Sequence, residues 1–167
     1  HQGKEVRLIE LADRVIPDAF DSEITQHIET ELREQGVSLH LGERVHALLG
    51  EGRVTGVRTD QGEYQADIVV VCTGVRPNTE FLADSGIARL GNGAIKVDRQ
   101  GRSSLANVWS AGDCASVWHS VKQQQVYVPL ATIANKLGRM VGENLAGAEQ
   151  AFPGTLGSAA LKVLGLE

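Results

Sequence analysis

The chain is poor in cysteine, proline, methionine and aromatic residues. Only Cys72 and Cys114 stand among its 167 residues, with no CxxC pair and no Cys/His cluster. That argues against a disulfide scaffold and against a structural metal, so no metal is expected. No apolar run approaches the roughly 20 residues that cross a bilayer, so no membrane partner is expected. Charge is 16 positive against 21 negative, with no basic block, so nucleic acid is not an expected partner either. The compartment is read most simply as cytoplasmic. An apolar fraction of 42% excludes a disordered chain. The length suits one ordinary domain or pieces of two. Four prolines against nineteen glycines predict tight turns and close approaches of backbone to ligands.

An initiator is also missing: the chain opens at His1, and Met140 is its single methionine. No signal peptide or tag composition is visible. His1–Lys4 reads as the end of a helix with a glycine C-cap. A strand follows at once, and a domain rarely begins on the last turn of a helix. The C-terminus reads similarly. Gly147 ends a helix, Phe152–Gly157 is a turn-rich linker, and Ser158–Leu166 is too short for a core of its own. The expectation is a piece of a larger protein.

Residues 6–10 read as a strand ending on an acidic residue. Asp18 or Asp21 can cap a helix over about 21–35, with Ile24, Ile28 and Leu32 at spacing four and Gly36 closing it. Residues 37–41 alternate as a strand. Residues 44–49 and 53–59 read as an antiparallel meander around Gly50-Glu51-Gly52, and Asp60-Gln61-Gly62 is a further turn. Asp67–Cys72 is the most apolar segment, and its unbroken run predicts a strand buried on both faces. Short strands are expected at 94–97 and 107–110. A helix is expected over 130–145, with Ile133, Ala134, Leu137, Val141 and Leu145 on one stripe. The fold class is α/β: partial doubly wound, Rossmann-like units with a three-stranded antiparallel insertion.

Several residues offer chemistry. Glu10 ends the first strand. In a dinucleotide-binding unit, an acidic residue ending the second strand takes the adenosine ribose, and its carboxylate would repel a 2′-phosphate. Arg14 lies close enough to offset that repulsion. The plain alternative is a solvated glutamate. Asp113, after Gly112, could accept a bond from a ligand hydroxyl or could cap a turn. The helix start near Leu130, with Pro129 ahead of it, offers unpaired N–H groups and a dipole suited to negative charge. Gly138 and Gly142 permit close packing. Cys72 reads as inert core, Cys114 as a thiol without an activating partner, and His119 as a loop histidine placed for acid–base work. No catalytic residue is assigned: no Ser/His/Asp set or carboxylate pair stands out.

The ordered set is more specific than its parts. Val6–Glu10, Asp67-Ile-Val-Val-Val-Cys-Thr-Gly-Val-Arg-Pro-Asn78, Asn107-Val-Trp-Ser-Ala-Gly-Asp113 and Val128-Pro-Leu-Ala-Thr-Ile-Ala-Asn-Lys-Leu-Gly-Arg139 occur in sequence. Together they resemble the FAD-dependent pyridine nucleotide–disulfide oxidoreductases. The stretches from Pro129 and from Phe152 look most like the coenzyme A-disulfide reductase and NADH oxidase branch.

The resemblance implies three parts. Residues 1–72 would be the second half of an NAD(H)-binding domain, 73–150 the C-terminal part of an FAD-binding domain, and 151–167 the start of a dimerisation domain. It implies FAD and NAD(H) as cofactors. Asp113 would hold the flavin ribityl chain, with Gly112 making room. Pro129, Leu130 and Ala131 would bring helix N–H groups to the flavin ring. Thr73 and Gly74 would lie where the nucleotide domains meet, and Glu10 would bind the NADH ribose. The family's glycine turns and redox cysteine are absent, and neither Cys72 nor Cys114 matches that cysteine. The chain alone is therefore expected to be inactive and a poor FAD binder. The parent would be a homo-oligomer passing hydride from NADH through FAD to a disulfide, such as coenzyme A disulfide, or to oxygen. The alternative is a noncatalytic nucleotide-binding or regulatory module on the same scaffold.

Overall fold

A computed structural model describes residues 3–158 and 160–165. His1 and Gln2 of the expected N-terminal helix end, and Ala159 and Leu166 of the expected C-terminal segment, lie outside the described residues. The chain forms two compact units. One runs to Cys72 and takes in the segment from Ala160; the other opens at Thr73.

The first unit is built on a strand–helix–strand repeat. β1 is Val6–Glu10, α1 is Ser22–Glu34 and β2 is Val37–Leu41. β1 and β2 pair in parallel, with Val6 opposite Val37 and Glu10 opposite Leu41. A parallel pair needs a crossover, and α1 supplies it while packing on β2. Asp21 is the N-cap, without a side-chain bond; Gln35 is the C-cap, and Gly36, with φ +84, closes the helix as expected. The buried face of α1 is Thr25, Ile28 and Glu29, while Ile24 is 49% exposed. A helix covers its neighbour with an arc rather than a strict i+4 row, so a polar pair entered the core where an apolar stripe was expected.

Three antiparallel strands follow in the order β3-β4-β5: Val45–Leu49, Gly56–Thr59 and Glu63–Gln65. The fourth strand begins at Gly56, later than the expected residue 53, because the turn around residues 50–53 is longer.

The expectation for Asp67–Cys72 fails. The segment forms no strand, and Ile68, Val70 and Val71 are 75%, 78% and 65% exposed. A strand exists only through its ladder, and among the described residues none pairs with this one. Cys72 is exposed in consequence, and the inert-core reading falls with the strand.

The second unit packs α2, Ala131–Leu145, over a cluster that includes Ile87, Ile95, Val97, Ala115, Val117 and Phe152. α2 contributes Leu137, Met140 and Val141. Each such side chain gives about 1.5–3 kcal/mol when fully buried. Leu145 is 63% exposed, and Asn144 takes the inward place on that turn. Its Nδ2 donates to the Gln100 and Gln150 carbonyls at 3.0 and 2.8 Å, and its Oδ1 accepts the Gln150 N–H at 2.8 Å. Gly138 and Gly142 have open space around them within the chain, so neither serves close packing here. The expected strands at 94–97 and 107–110 reduce to isolated bridges at Ile95 and Trp109. A hairpin that periodicity missed, β6 at Val117–His119 and β7 at Gln124–Val126, pairs Val117 with Val126.

Candidate functional site

The predicted residues divide between the units. Glu10 is in the first. Thr73, Gly74, Gly112, Asp113, Pro129, Leu130 and Ala131 are in the second.

Glu10 stands at the end of β1. Its Oε1 accepts the N–H of Ala12 at 2.9 Å, and its carbonyl accepts the N–H of Glu43 at 3.0 Å. The Ala12 carbonyl accepts the N–H of Gly42 at 2.7 Å. The strand end and the loop after it are thus fixed to the exit of β2. No hydrogen bond among the described residues reaches Oε2, which leaves an acceptor at the tip of the strand. Arg14 does not extend towards Glu10: its Nη2 donates to the Pro17 carbonyl at 3.3 Å.

Gly112–Cys114 is a single 3-10 turn packed against α2. Gly112 has φ +80, a conformation that favours glycine, and nothing lies within 4 Å of where a Cβ would stand. The turn is pinned on its far side, where Ile95 N–H donates to the Cys114 carbonyl at 2.8 Å and Ser116 N–H donates to the Ile95 carbonyl at 2.8 Å. The Asp113 side chain is exposed and, among the described residues, has no hydrogen-bond or ion-pair partner. It caps nothing, so the turn-capping alternative has no support. Burial pushes the Tyr127 phenol above its usual range, and the Asp113 carboxylate and Cys114 thiol push the same way. Tyr127 is therefore a neighbour of this turn, and sequence pattern gave no sign of it.

α2 begins at Ala131 with Leu130 as an extended N-cap that makes no side-chain bond. Pro129 and Leu130 are half-buried. The Leu130 carbonyl accepts the N–H groups of Ile133 and Ala134 at 2.9 Å. The N–H groups of Ala131 and Thr132 find no acceptor among the described residues. The donor set therefore comprises a free carboxylate acceptor on one turn and two free N–H groups at a helix start. Such a set suits a ligand with hydroxyls at one place and an electron-rich polar edge at another. Thr73 and Gly74 are exposed in the segment that opens the second unit.

His119 is not a loop residue. It is 8% exposed in β6, and its Nδ1 accepts the N–H groups of Val121 and Lys122 at 3.2 and 3.3 Å. Those bonds close the hairpin turn, so the side chain has a structural role in β6. A cleft of about 340 Å³ is lined by Asp98, Arg102, Leu105, Asn107 and Trp109. It contains none of the predicted site residues. Asp98 is spent there on structure. Burial would raise its pKa, but N–H groups of Arg102 and Gln100 and the Arg102 guanidinium hold it below its usual range. Among the described residues no three His, Cys, Asp or Glu side chains form a metal-holding group.

The first unit carries a parallel strand–helix–strand repeat tipped by a carboxylate, and the second carries a Gly-Asp turn packed on a helix with open N–H groups; each taken by itself suits an α/β nucleotide-binding fold. The chain belongs to the pyridine nucleotide-disulphide oxidoreductase family, which it matches over residues 1–138. It is 41% identical over 166 residues to the CoA-dependent NAD(P)H sulfur oxidoreductase of Pyrococcus furiosus, covering 99% of this chain and 37% of that protein. Among solved structures it is similar to the water-forming NADH oxidase of Lactobacillus brevis bound to NADH. The TM-score is 0.87 and the identity 36%, covering 98% of this chain and 36% of that one. An engineered NADPH oxidase made from that enzyme, bound to NADPH, is similar to the same degree: TM-score 0.87, 36% identity, 98% and 36% covered. The chain thus spans about 37% of the length of the curated relatives it matches.

Proposed function

We propose that this chain is the part of an FAD-dependent NADH oxidoreductase that carries the ribose end of the NADH site and the ring end of the flavin site. Residues 1–72 belong to the NAD(H)-binding part, 73–150 to the FAD-binding part, and a dimerisation segment follows from 151. The observation that carries the reading is the pairing of a free Asp113 carboxylate with the free N–H groups that open α2.

FAD, when bound, supplies the relay of electrons from a nicotinamide to a disulfide or to oxygen. The chain's residues bind and orient. Asp113 accepts a hydrogen bond from a ribityl hydroxyl, and Gly112 leaves room for the chain to pass. The N–H groups of Ala131 and Thr132, with the dipole of α2, favour electron density at the pyrimidine edge of the ring. Thr73 and Gly74 lead from the first unit into the second. No residue here is assigned to proton transfer.

Glu10 is assigned to the NADH ribose. Two observations favour NADH over NADPH. Arg14 donates from Nη2 to the Pro17 carbonyl at 3.3 Å, a bond that a 2′-phosphate would have to compete with. The engineered NADPH-using relative also has an aspartate changed to alanine. Its next two positions became arginine and serine, and a proline seven positions past the aspartate became arginine. Here Glu10, Leu11, Ala12 and Pro17 stand at the same spacing, with the acid and the proline in place.

We read the compartment as the cytoplasm, on a sequence with two cysteines and no CxxC pair, and the working form as a homo-oligomer. The test uses the full-length protein that contains this chain. The expected results are a yellow, flavin-loaded enzyme and a higher kcat/KM for NADH than for NADPH, with a disulfide or oxygen as acceptor. A colourless protein, or one that binds nucleotide without turnover, would establish the noncatalytic alternative.

A further inference from the structure

The loop between β1 and α1 is fastened more heavily than a surface loop needs to be. Val15, in its middle, is 3% exposed, and its N–H donates to Oε1 of Glu29 at 3.3 Å. Glu29 belongs to α1, fourteen residues further on, and is 9% exposed. Its Oε2 is paired with Nη2 of Arg33 at 3.2 Å. Next to Val15, Ile16 has φ +50, a left-handed conformation that a β-branched residue resists. The strained residue is bracketed by bonds: Arg14 to the Pro17 carbonyl at 3.3 Å, and Ala19 N–H to the Ile16 carbonyl at 3.2 Å.

A buried carboxylate needs partners, and a strained residue persists only where its surroundings hold it. Glu29 meets both conditions at one point. The same loop sets the aim of Glu10, because Oε1 of Glu10 rests on the N–H of Ala12. Ala12 is anchored on one side by the Gly42 N–H at 2.7 Å, and the Glu29–Val15 bond anchors the same short loop on its other side, so the Ala12 N–H that orients the Glu10 carboxylate is held between the two.

We propose that Glu29 is a positioning residue for pyridine nucleotide binding, acting from α1 through the Val15 N–H to hold the loop that orients Glu10. The inference rests on the assignment of Glu10 to the NADH ribose. It puts a determinant of nucleotide affinity on a helix face, away from any contact with the nucleotide.

Two measurements test it. In the full-length protein, Glu29→Ala should raise KM for NADH about tenfold, the loss expected for one hydrogen bond to a charged group. kcat should stay within about twofold, since flavin is held by the other unit's residues. Glu29→Gln, which keeps an acceptor for Val15, should restore most of the affinity. Where Glu29→Ala does not fold, Glu29→Asp retains the charge but withdraws the acceptor by one methylene. In the 167-residue chain itself, amide exchange at Val15 should quicken in Glu29→Ala or Glu29→Asp and not in Glu29→Gln. An unchanged KM in the folded Ala or Asp variant, or equal behaviour of the Ala and Gln variants, overturns the proposal. Glu10→Ala is read separately: an unchanged KM there refutes the ribose assignment, while exchange at Val15 still reports on Glu29.

Discussion

The hydroxyl of Thr59 on β4 donates to the buried carboxylate of Glu43 at 2.5 Å. Glu43 lies just past the end of β2, so this one bond ties the parallel pair to the three-stranded sheet. Nδ1 of His40 lies 3.2 Å from the other carboxylate oxygen, and the His40 ring is 4.6 Å from that of Tyr64. Removing the carboxylate takes away a charged acceptor, a loss of about 1.5–3 kcal/mol, and leaves the Thr59 hydroxyl only the Gly62 carbonyl at 3.1 Å to donate to. Glu43→Ala should therefore lower the urea midpoint of the first unit, while Glu43→Gln should lose less.

Glu43 also gives a pH dependence. Burial would raise its pKa, but hydrogen bonds from Thr59 and Tyr64 and the charge of His40 outweigh burial and hold it below the usual 4.5. A folded value below the unfolded one means stability that is complete above about pH 4.5 and is lost as pH falls through the folded value. Tyr64 shifts upward, chiefly through its bond to Glu43. The wild-type chain should lose stability in acid more steeply than Glu43→Gln. Parallel curves for the two would remove Glu43 from the account.

Gly101 faces α2. Its φ is +92, and an added Cβ would stand 2.2 Å from Cγ2 of Val141. Overpacking of a core costs about 1–3 kcal/mol, and a left-handed conformation adds about 1–2 kcal/mol for a residue with a Cβ. Gly101→Ala should destabilise the second unit measurably in a thermal scan. In a Val141→Ala background, which gives up core contact of its own, Gly101→Ala should cost less than in the wild type. An equal cost in both backgrounds would show that backbone strain, and not the clash, sets it.

Asp113→Ala should separate binding from folding. The carboxylate makes no bond within the described chain, so the melting temperature should hardly move. A charge-assisted bond to a ribityl hydroxyl contributes about 1.5–3 kcal/mol, so flavin affinity in the full-length protein should fall about tenfold or more. Unchanged flavin dissociation would leave Asp113 without a role at the site.

The sequence was most legible where local signals agreed. The strand–helix–strand repeat, the antiparallel insertion and α2 rest on periodicity and turn chemistry, which act over a few residues. The Gly112–Asp113 turn was legible for the same reason. Glu29, Glu43 and Tyr127 were not. Each acts on a partner on another element, 14 residues away for Glu29 and 16 for Glu43, and no periodic pattern records such a pair. Asp67–Cys72 erred the other way. Its composition suited a buried strand, but pairing is a property of the neighbours and not of the segment.

That unpaired segment gives the last prediction. Ile68, Val70 and Val71 are each at least 65% exposed, and among the described residues the backbone of this segment makes no hydrogen bond, which leaves an unpaired apolar edge. Such an edge templates pairing with another chain, and exchange between identical copies is a low-cost way to satisfy it. The 167-residue chain should therefore be a dimer or larger at micromolar concentration. Val70→Lys places a charge in the middle of the apolar run and should shift it towards monomer without lowering the melting temperature, since Val70 touches no core. Cys72, exposed at the end of the run, should react quickly with a thiol reagent in the monomeric variant and more slowly in the assembled wild type. Light scattering decides the matter: a wild-type species of 17.9 kDa would rule out this surface as a self-association site.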